Sequence, residues 1–167
     1  YSFLIEGEEK RLFYSGDFRG HGRKGSLFSS LINNPPGNID YLMMEGTNIG
    51  RTTKSKSEKE IENELVEVFK EPDKINLIYQ AGQNIDRIVS VFKACKKTDK
   101  ILVLDIYLAF IMANLVKVTG KNLPHPSRKF PKIKVFFSSY ASSRIVKELG
   151  KQELYNFQPY KITKDEI

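Results

Sequence analysis

Apolar residues in the first third of the chain form short runs rather than long amphipathic stretches. Two runs, at 2–5 and 11–15, are separated by a polar, glycine-containing turn, which is typical of a β-hairpin. A basic, glycine-rich loop is predicted over 18–25, followed by a short helix over 27–32. The apolar run at 40–45 is of the kind found in buried strands.

From residue 57 onwards the pattern changes to an alternation of helices and strands. A capping-box sequence at Ser57 and Glu60 opens the first helix, which Pro72 ends. We predict further helices over 85–95, 106–118 and 142–149, with strands over 75–80, 100–104 and 133–137. Such alternation implies right-handed crossovers and a parallel sheet covered by helices. The predicted fold class is therefore α/β with an antiparallel piece at the front, and the predicted domains are 1–52 and 53–167.

The composition limits the domain count, the cellular location and the kinds of metal site that are compatible with this chain. Its 167 residues suit one domain, or one small domain with part of another, and no apolar run approaches the ~18 residues that span a bilayer. A single cysteine, Cys95, excludes an internal disulfide and predicts a cytoplasmic location without membrane association. Two histidines exclude a self-contained histidine-rich metal site. Because Tyr1 begins an apolar run, we expect the chain to be a piece of a longer protein.

Positive charge is concentrated in the later part of the chain. The whole chain carries +7, yet residues 1–50 hold five basic and six acidic side chains and are nearly neutral. The remaining 22 basic and 14 acidic side chains all lie in 51–167. A basic excess of this kind favours a polyanionic partner such as nucleic acid, because lysine and arginine displace counterions from phosphates. A lysine-rich surface without such a partner is the alternative.

Two acidic residues lie beside glycines at predicted strand ends. Asp17 follows Ser15 and Gly16, where a sharp turn would carry its carboxylate out of the sheet edge and allow it to bridge two cations. Glu45 ends an apolar strand, at the sheet edge where α/β proteins tend to place their sites. An ordinary turn residue and an ordinary strand-ending acid are the alternative interpretations.

Basic side chains are concentrated between and just after these two acids. They are candidates for binding the phosphates of a nucleic acid through charge-assisted hydrogen bonds, although a solvated loop would have the same composition. His21 could also be a metal ligand or support one. The candidates are Arg19, His21, Arg23, Lys24 and Arg51.

Two stretches resemble a known family. Residues 12–24 read Leu-Phe-Tyr-Ser-Gly-Asp-Phe-Arg-Gly-His-Gly-Arg-Lys, and residues 40–47 read Asp-Tyr-Leu-Met-Met-Glu-Gly-Thr. Together they resemble the metallo-β-lactamase superfamily, specifically the β-CASP nucleases typified by ribonuclease J and the RNA 3′-end-processing endonucleases. Residues 81–87 and 101–105 are similar to the β-CASP insert of those enzymes. The resemblance implies that 1–52 is part of a metallo-β-lactamase sheet and that 53–167 is part of a β-CASP domain.

The resemblance also implies a chemistry. Asp17 matches an aspartate that bridges two zinc ions, or manganese in some members, and Glu45 matches the acidic residue of motif A. In the family that acid pairs with a later histidine and assists the leaving group. The implied reaction is phosphodiester hydrolysis by metal-activated water, with RNA favoured over DNA as the substrate.

The chain departs from the family in lacking the His-x-His-x-Asp-His signature and the other histidine motifs. We therefore expect residues 1–167 alone neither to bind two metals tightly nor to cleave RNA, while the full-length protein does both. A non-catalytic nucleic-acid-binding or scaffold paralogue is the main alternative, and a hydrolase of small esters is a third. An unpaired apolar strand at the front also predicts self-association through a sheet edge.

Overall fold

The computed structural model describes residues 2–17, 20, 22–47, 49–50, 52, 55–72 and 74–166. The chain divides into two compact units, an N-terminal unit of residues 1–58 and a C-terminal unit of residues 59–167. It is a mixed α/β protein with small sheets, one of which is parallel. No helix in the described ranges is both long and apolar enough to cross a membrane.

The N-terminal unit is built on a three-stranded sheet in the order β1-β2-β3. Its elements are β1 (Phe3–Gly7), β2 (Lys10–Tyr14), α1 (Gly25–Asn33) and β3 (Tyr41–Met43). β1 and β2 form the predicted hairpin, and Glu8 and Glu9 turn the chain with φ of 49° and 59°. Positive φ at both turn residues is the requirement of a type I′ turn, whose twist matches that of the strands. The hairpin and the short helix are both confirmed.

The burial of β3 differs from the prediction. It pairs in parallel with β2, with Leu12 opposite Tyr41 and Tyr14 opposite Met43, but it is only three residues long. The predicted buried strand is instead exposed, since each of its side chains keeps more than half of its accessible surface. A continuous apolar run is compatible with a buried strand, but burial also requires a second layer, which the run itself does not encode.

The C-terminal unit contains a two-stranded parallel sheet with helices packed against it. Its elements are α2 (Glu58–Phe69), α3 (Ile85–Lys97), β4 (Leu102–Asp105), α4 (Ile106–Thr119), β5 (Ile133–Phe136), α5 (Ser139–Leu149) and α6 (Lys151–Tyr155), followed by 3-10 helices at Gln158–Tyr160 and Lys164–Glu166. β4 and β5 are in register from Leu102 opposite Ile133 to Asp105 opposite Phe136. The predicted helices and these two strands are confirmed, whereas α6 and the 3-10 helices were not predicted.

The core of this unit lies between the sheet and α3, α4 and α5. Its centre is formed by side chains that are at most 1% exposed, namely Ile88, Ile106, Ala109, Met112, Ile133 and Val135. Asp105 starts α4 because its Oδ1 accepts hydrogen bonds from the N–H groups of Tyr107 (2.9 Å) and Leu108 (3.0 Å). Gly120 ends α4 with φ of 64°, the left-handed conformation common at helix C-termini.

The predicted strand over 75–80 is wrong. These residues are not assigned to any sheet, and the side chains of Leu77 and Tyr79 are fully or almost fully exposed. The composition of the segment, with its isoleucines, leucine and tyrosine, favours a strand. Local preference, however, supplies no hydrogen-bonding partner, and the sheet contains β4 and β5 without this segment.

Candidate functional site

The carboxyl ends of β2 and β3 form the candidate site. Because the two strands are parallel neighbours, their carboxyl ends reach the same edge of the sheet. Asp17 follows β2 by three residues, and Glu45 follows β3 by two. The fold therefore brings to one edge the two acids that the sequence singled out separately. Asp17 is exposed and Glu45 is partly buried.

Ser15 links the two strand ends. Its backbone N–H donates to the carbonyl of Met43 at 2.9 Å, which extends the β2–β3 pairing by one step. Its hydroxyl accepts a hydrogen bond from the N–H of Glu45 at 3.3 Å and donates to the carbonyl of Gly16 at 2.9 Å. Ser15 is 5% exposed, so these bonds are shielded from water. One buried hydroxyl thus fixes the backbone at Glu45 and directly before Asp17.

Gly16 makes the turn that leads to Asp17. It has φ of 58°, in the left-handed region that glycine adopts without steric penalty. The chain therefore changes direction directly before Asp17, as the sequence predicted for a glycine at this position. A β-branched or bulky residue at 16 would strain the turn.

A third acid, Asp40, lies before β3 rather than after it. Its Oδ2 accepts a hydrogen bond from the backbone N–H of Arg11 at 2.8 Å, and Lys10 Nζ lies 3.6 Å from its Oδ1. The carboxylate of Asp40 therefore has a structural role, and it lies at the opposite end of the β2–β3 pair. This makes Asp40 a matched control for Asp17 and Glu45.

The basic candidates are only partly located. Arg23 and Lys24 are exposed and directly precede α1, which begins at Gly25 without a side-chain cap from Lys24. Arg19, His21 and Arg51 lie outside the described residues. The structure therefore does not test whether the five side chains gather around Asp17 and Glu45.

The described side chains do not form a metal site by themselves. Over these residues, no group of three or more histidine, cysteine, aspartate or glutamate side chains is close enough to hold an ion. A zinc ion is held by four ligands, or by three ligands and a water. Asp17 can therefore contribute to a metal site only together with other ligands.

Three other residues with side chains capable of chemistry have structural roles. Asp105 caps α4, as described above. Cys95 is buried among Phe69, Val91 and Ala94, and burial raises the pKa of its thiol to about 11. His125 places Nδ1 2.8 Å from the carbonyl of Leu123, and its ring packs edge-on against Phe130.

Ser15 is the residue that sequence reasoning missed. A serine before a glycine and an aspartate is an ordinary turn composition, and nothing local distinguishes it. The signal lies in the pairing of β2 with β3, because the parallel alignment alone brings Ser15 next to Glu45.

The chain matches no protein-family model, and no curated protein or solved structure is significantly similar to it.

Proposed function

We propose that this chain is part of a metal-dependent phosphodiester hydrolase that acts on RNA. In this proposal residues 1–52 belong to a metallo-β-lactamase-like sheet and residues 53–167 to a β-CASP-like α/β domain. The observation that carries the proposal is the placement of Asp17 and Glu45 at one sheet edge, joined through Ser15.

The two acids have different roles in the proposal. Asp17 is a metal ligand, consistent with an exposed carboxylate directly after a glycine turn. Ser15 holds the backbone N–H of Glu45, and among the described residues the Glu45 side chain makes no hydrogen bond, which leaves its carboxylate available to act near a leaving group. Zinc or manganese would require the further ligands that the family supplies from its histidine motifs, so the 167-residue chain alone would not cleave RNA.

The charge distribution supports a polyanionic substrate. The surplus of basic over acidic side chains is confined to residues 51–167, whereas the residues that carry the two acids are nearly neutral. Such a division suits a protein that holds a phosphate backbone with one region and reacts with it at another. RNA is the favoured substrate and the cytoplasm the favoured location.

The test is cleavage of 5′-end-labelled single-stranded RNA by the full-length protein with zinc or manganese. Asp17→Asn should reduce cleavage by at least about 100-fold, since loss of a group that only supports a metal ligand already costs about 10- to 100-fold. Glu45→Gln should reduce cleavage while leaving the bound metal unchanged. Asp40→Asn, the matched control, should retain activity.

Two results would contradict the proposal. RNA binding without cleavage in the wild-type protein would identify the scaffold paralogue. Full cleavage by Asp17→Asn would make Asp17 an ordinary turn residue and would remove the main argument for this edge. A DNA strand of the same sequence, assayed in parallel, tests the preference for RNA.

A further inference from the structure

The positive charge of residues 51–167 is concentrated in one stretch of the chain. Residues 106–147 contain no acidic side chain and eight basic ones. Elsewhere in residues 51–167, basic and acidic side chains balance, with 14 of each. The whole basic surplus of this region therefore comes from the elements between the start of α4 and the last turn of α5.

Two of these basic residues, Arg128 and Lys129, lie at the tip of a β-turn in the loop between α4 and β5. The turn is closed by the N–H of Phe130, which donates to the carbonyl of Ser127 at 3.0 Å. Arg128 and Lys129 are its two central residues, and both are exposed. Neither forms an ion pair with an acid in the part of the chain that the structure describes.

The turn is held in place by the packing of its own loop. Pro124 and Pro126 of the loop are buried. The ring of Phe130 lies edge-on against Phe92 of α3, with ring centroids 5.4 Å apart, and against His125 at 5.5 Å. Because these contacts already fix the loop, binding of a ligand at its tip costs less conformational entropy than the ordering of a flexible loop would.

Three elements bring basic side chains to the same end of the β4–β5 sheet. α3 ends shortly before β4, and the loop of residues 120–132 leads directly into β5, so both lie at the amino ends of these parallel strands. α4 follows β4 and returns to the start of β5, which brings its last turn to this end as well. The exposed basic side chains of these elements, which we name the basic platform, are Lys96, Lys117, Lys121, Arg128 and Lys129.

Contacts along the loop place Lys96 beside it. The loop contacts α3 at Phe92, and Lys132 Nζ donates to the carbonyl of Asp99 at 3.2 Å just beyond the end of the helix. Lys96 comes one helical turn after Phe92 on the same face of α3, between these two contacts. Asp99, the acid that contacts the loop, is paired with Lys132 rather than with a side chain of the basic platform.

Helix dipoles explain only part of this arrangement. Lys96 and Lys117 lie in the last turns of α3 and α4, where the helix dipole stabilises a cation. Arg128 and Lys129 lie in a β-turn, so the dipole does not account for them. Over the described residues, the side chains of the basic platform form no ion pairs, and their like charges are not neutralised. A surface of this kind attracts polyanions.

We propose that the basic platform binds the phosphate backbone of single-stranded RNA. Ligands of parallel α/β sheets usually bind at the carboxyl ends of the strands, whereas the platform lies at the amino ends of β4 and β5. It is therefore a surface that holds RNA rather than a site of reaction. The proposal rests on the proposed function only for the choice of RNA, because the binding itself needs neither a metal nor cleavage.

Fluorescence anisotropy of a 5′-labelled RNA single strand of about 16 nucleotides tests the proposal. The wild-type chain is titrated in EDTA, which prevents metal-dependent cleavage, at roughly 50 to 200 mM salt. Five phosphate contacts on a single strand predict a slope of log K against log salt of about −3.5. Arg128→Gln combined with Lys129→Gln should weaken binding at least about tenfold at the lowest salt and change the slope to about −2.

Lys70→Gln combined with Lys74→Gln is the matched control. It removes the same number of charges from exposed lysines of the C-terminal unit, but these two already pair with Glu67 and Glu71. The control should change the affinity for RNA by less than about threefold. Urea denaturation of each double variant shows that it is folded under the conditions of the titration.

Three results would overturn the proposal. The first is the absence of RNA binding by the wild-type chain at the lowest salt. The second is equal weakening in the two double variants, which would make binding an effect of net charge alone. The third is tighter binding to vesicles of anionic phospholipid than to RNA, which would assign the platform to a membrane surface. Because the titration is free of metal, its failure would leave the cleavage test of the proposed function unaffected, and an absence of cleavage would not alter the binding result.

Discussion

In the C-terminal unit, the side chains of β4, α4 and β5 pack against one another until several have no accessible surface. In the N-terminal unit, β1 and β3 have the same kind of apolar sequence, yet their apolar side chains remain 42–60% exposed. Phe13 is the one buried hydrophobic side chain among described residues 2–58. Similar sequence patterns therefore give a packed sheet in one unit and an uncovered one in the other.

The difference teaches that strand formation and burial have separate causes. Alternation along β1–β3 places Phe3, Ile5, Tyr14, Tyr41 and Met43 on one face of the sheet. The face is held by the strand ladders and by stacking of Phe3 on Tyr14, whose ring centroids are 6.5 Å apart. β4 and β5, in contrast, have helices packed against them. We therefore expect the C-terminal unit to be the more stable of the two.

The largest expected effect is the loss of a buried side chain from the C-terminal core. Met112 has no accessible surface, so Met112→Ala should lower the free energy of unfolding by about 2–5 kcal/mol. Leu42→Ala in the exposed β3 should change it by less than about 0.5 kcal/mol. Urea denaturation followed by circular dichroism measures both. Val118→Ala, at an 82% exposed position of the same helix as Met112, is the control and should resemble Leu42→Ala. Equal losses from Met112→Ala and Leu42→Ala would remove the contrast between the units.

The next effect is the pH dependence contributed by Glu62, whose side chain is 2% exposed in α2. Lys97 of α3 lies 2.6 Å and Lys59 lies 3.1 Å from its Oε1. Burial alone would raise the pKa of Glu62, but hydrogen bonds from Lys97 and Lys59 outweigh it and lower the pKa to about 2. Because its pKa is lowered, ionised Glu62 stabilises the fold. This stabilisation is fully present above pH 4.5, the ordinary pKa value, and is lost as the pH falls from 4.5 towards 2.

Between pH 6 and pH 3 the expected loss of stability is on the order of 2 kcal/mol in the wild-type chain. Denaturation curves at pH 6 and pH 3 should therefore differ much less for Glu62→Gln. Glu67→Gln, which removes an exposed pair between α2 and Lys70 just after the helix, should keep the wild-type pH dependence. Some dependence will remain in Glu62→Gln, because Lys134 also lowers the pKa of Glu166 to about 2. An unchanged pH dependence in Glu62→Gln would contradict the assignment of this pH dependence to Glu62.

The smallest effect concerns the hairpin turn of the N-terminal unit. Glu8 and Glu9 adopt positive φ, which glutamate tolerates poorly, so Asn at 8 and Gly at 9 should stabilise the hairpin by about 0.5–1 kcal/mol. Protected amides of β1 should then exchange up to about fivefold more slowly. Replacing both glutamates by glutamine is the control for charge and should have no such effect. Faster exchange after the Asn and Gly replacements would show that the turn does not limit this sheet.

Much of the local structure could be predicted from the sequence. The hairpin, α3 and α4 each have a clear periodicity and a clear boundary, such as Asp105 before α4 and Gly120 after it. The absence of a strand over 75–80 could not be predicted, because pairing of these residues would need a partner strand such as β4, which lies 20 or more residues away. α6 was missed because Gly150 correctly marks the end of α5, but a second helix begins directly after it.

The sequence predicts the two acids of the candidate site, but it does not predict that they lie at one edge of the sheet. Asp17 and Glu45 were recognised from the glycines beside them, each within its own short segment. Their meeting at one edge follows from the parallel pairing of β2 with β3, in which Ser15 is the link. The roles of Arg19, His21 and Arg51 stay predictions, because these residues lie outside the described parts of the chain.

The metal content of the full-length protein tests the proposed role of this edge most directly. Purified wild-type protein, Asp17→Asn and Asp40→Asn would be equilibrated with zinc or manganese, dialysed and measured by elemental analysis. The account predicts that Asp17→Asn loses bound metal while Asp40→Asn retains the wild-type amount. Equal metal in all three proteins, or none in the wild-type protein, would contradict it.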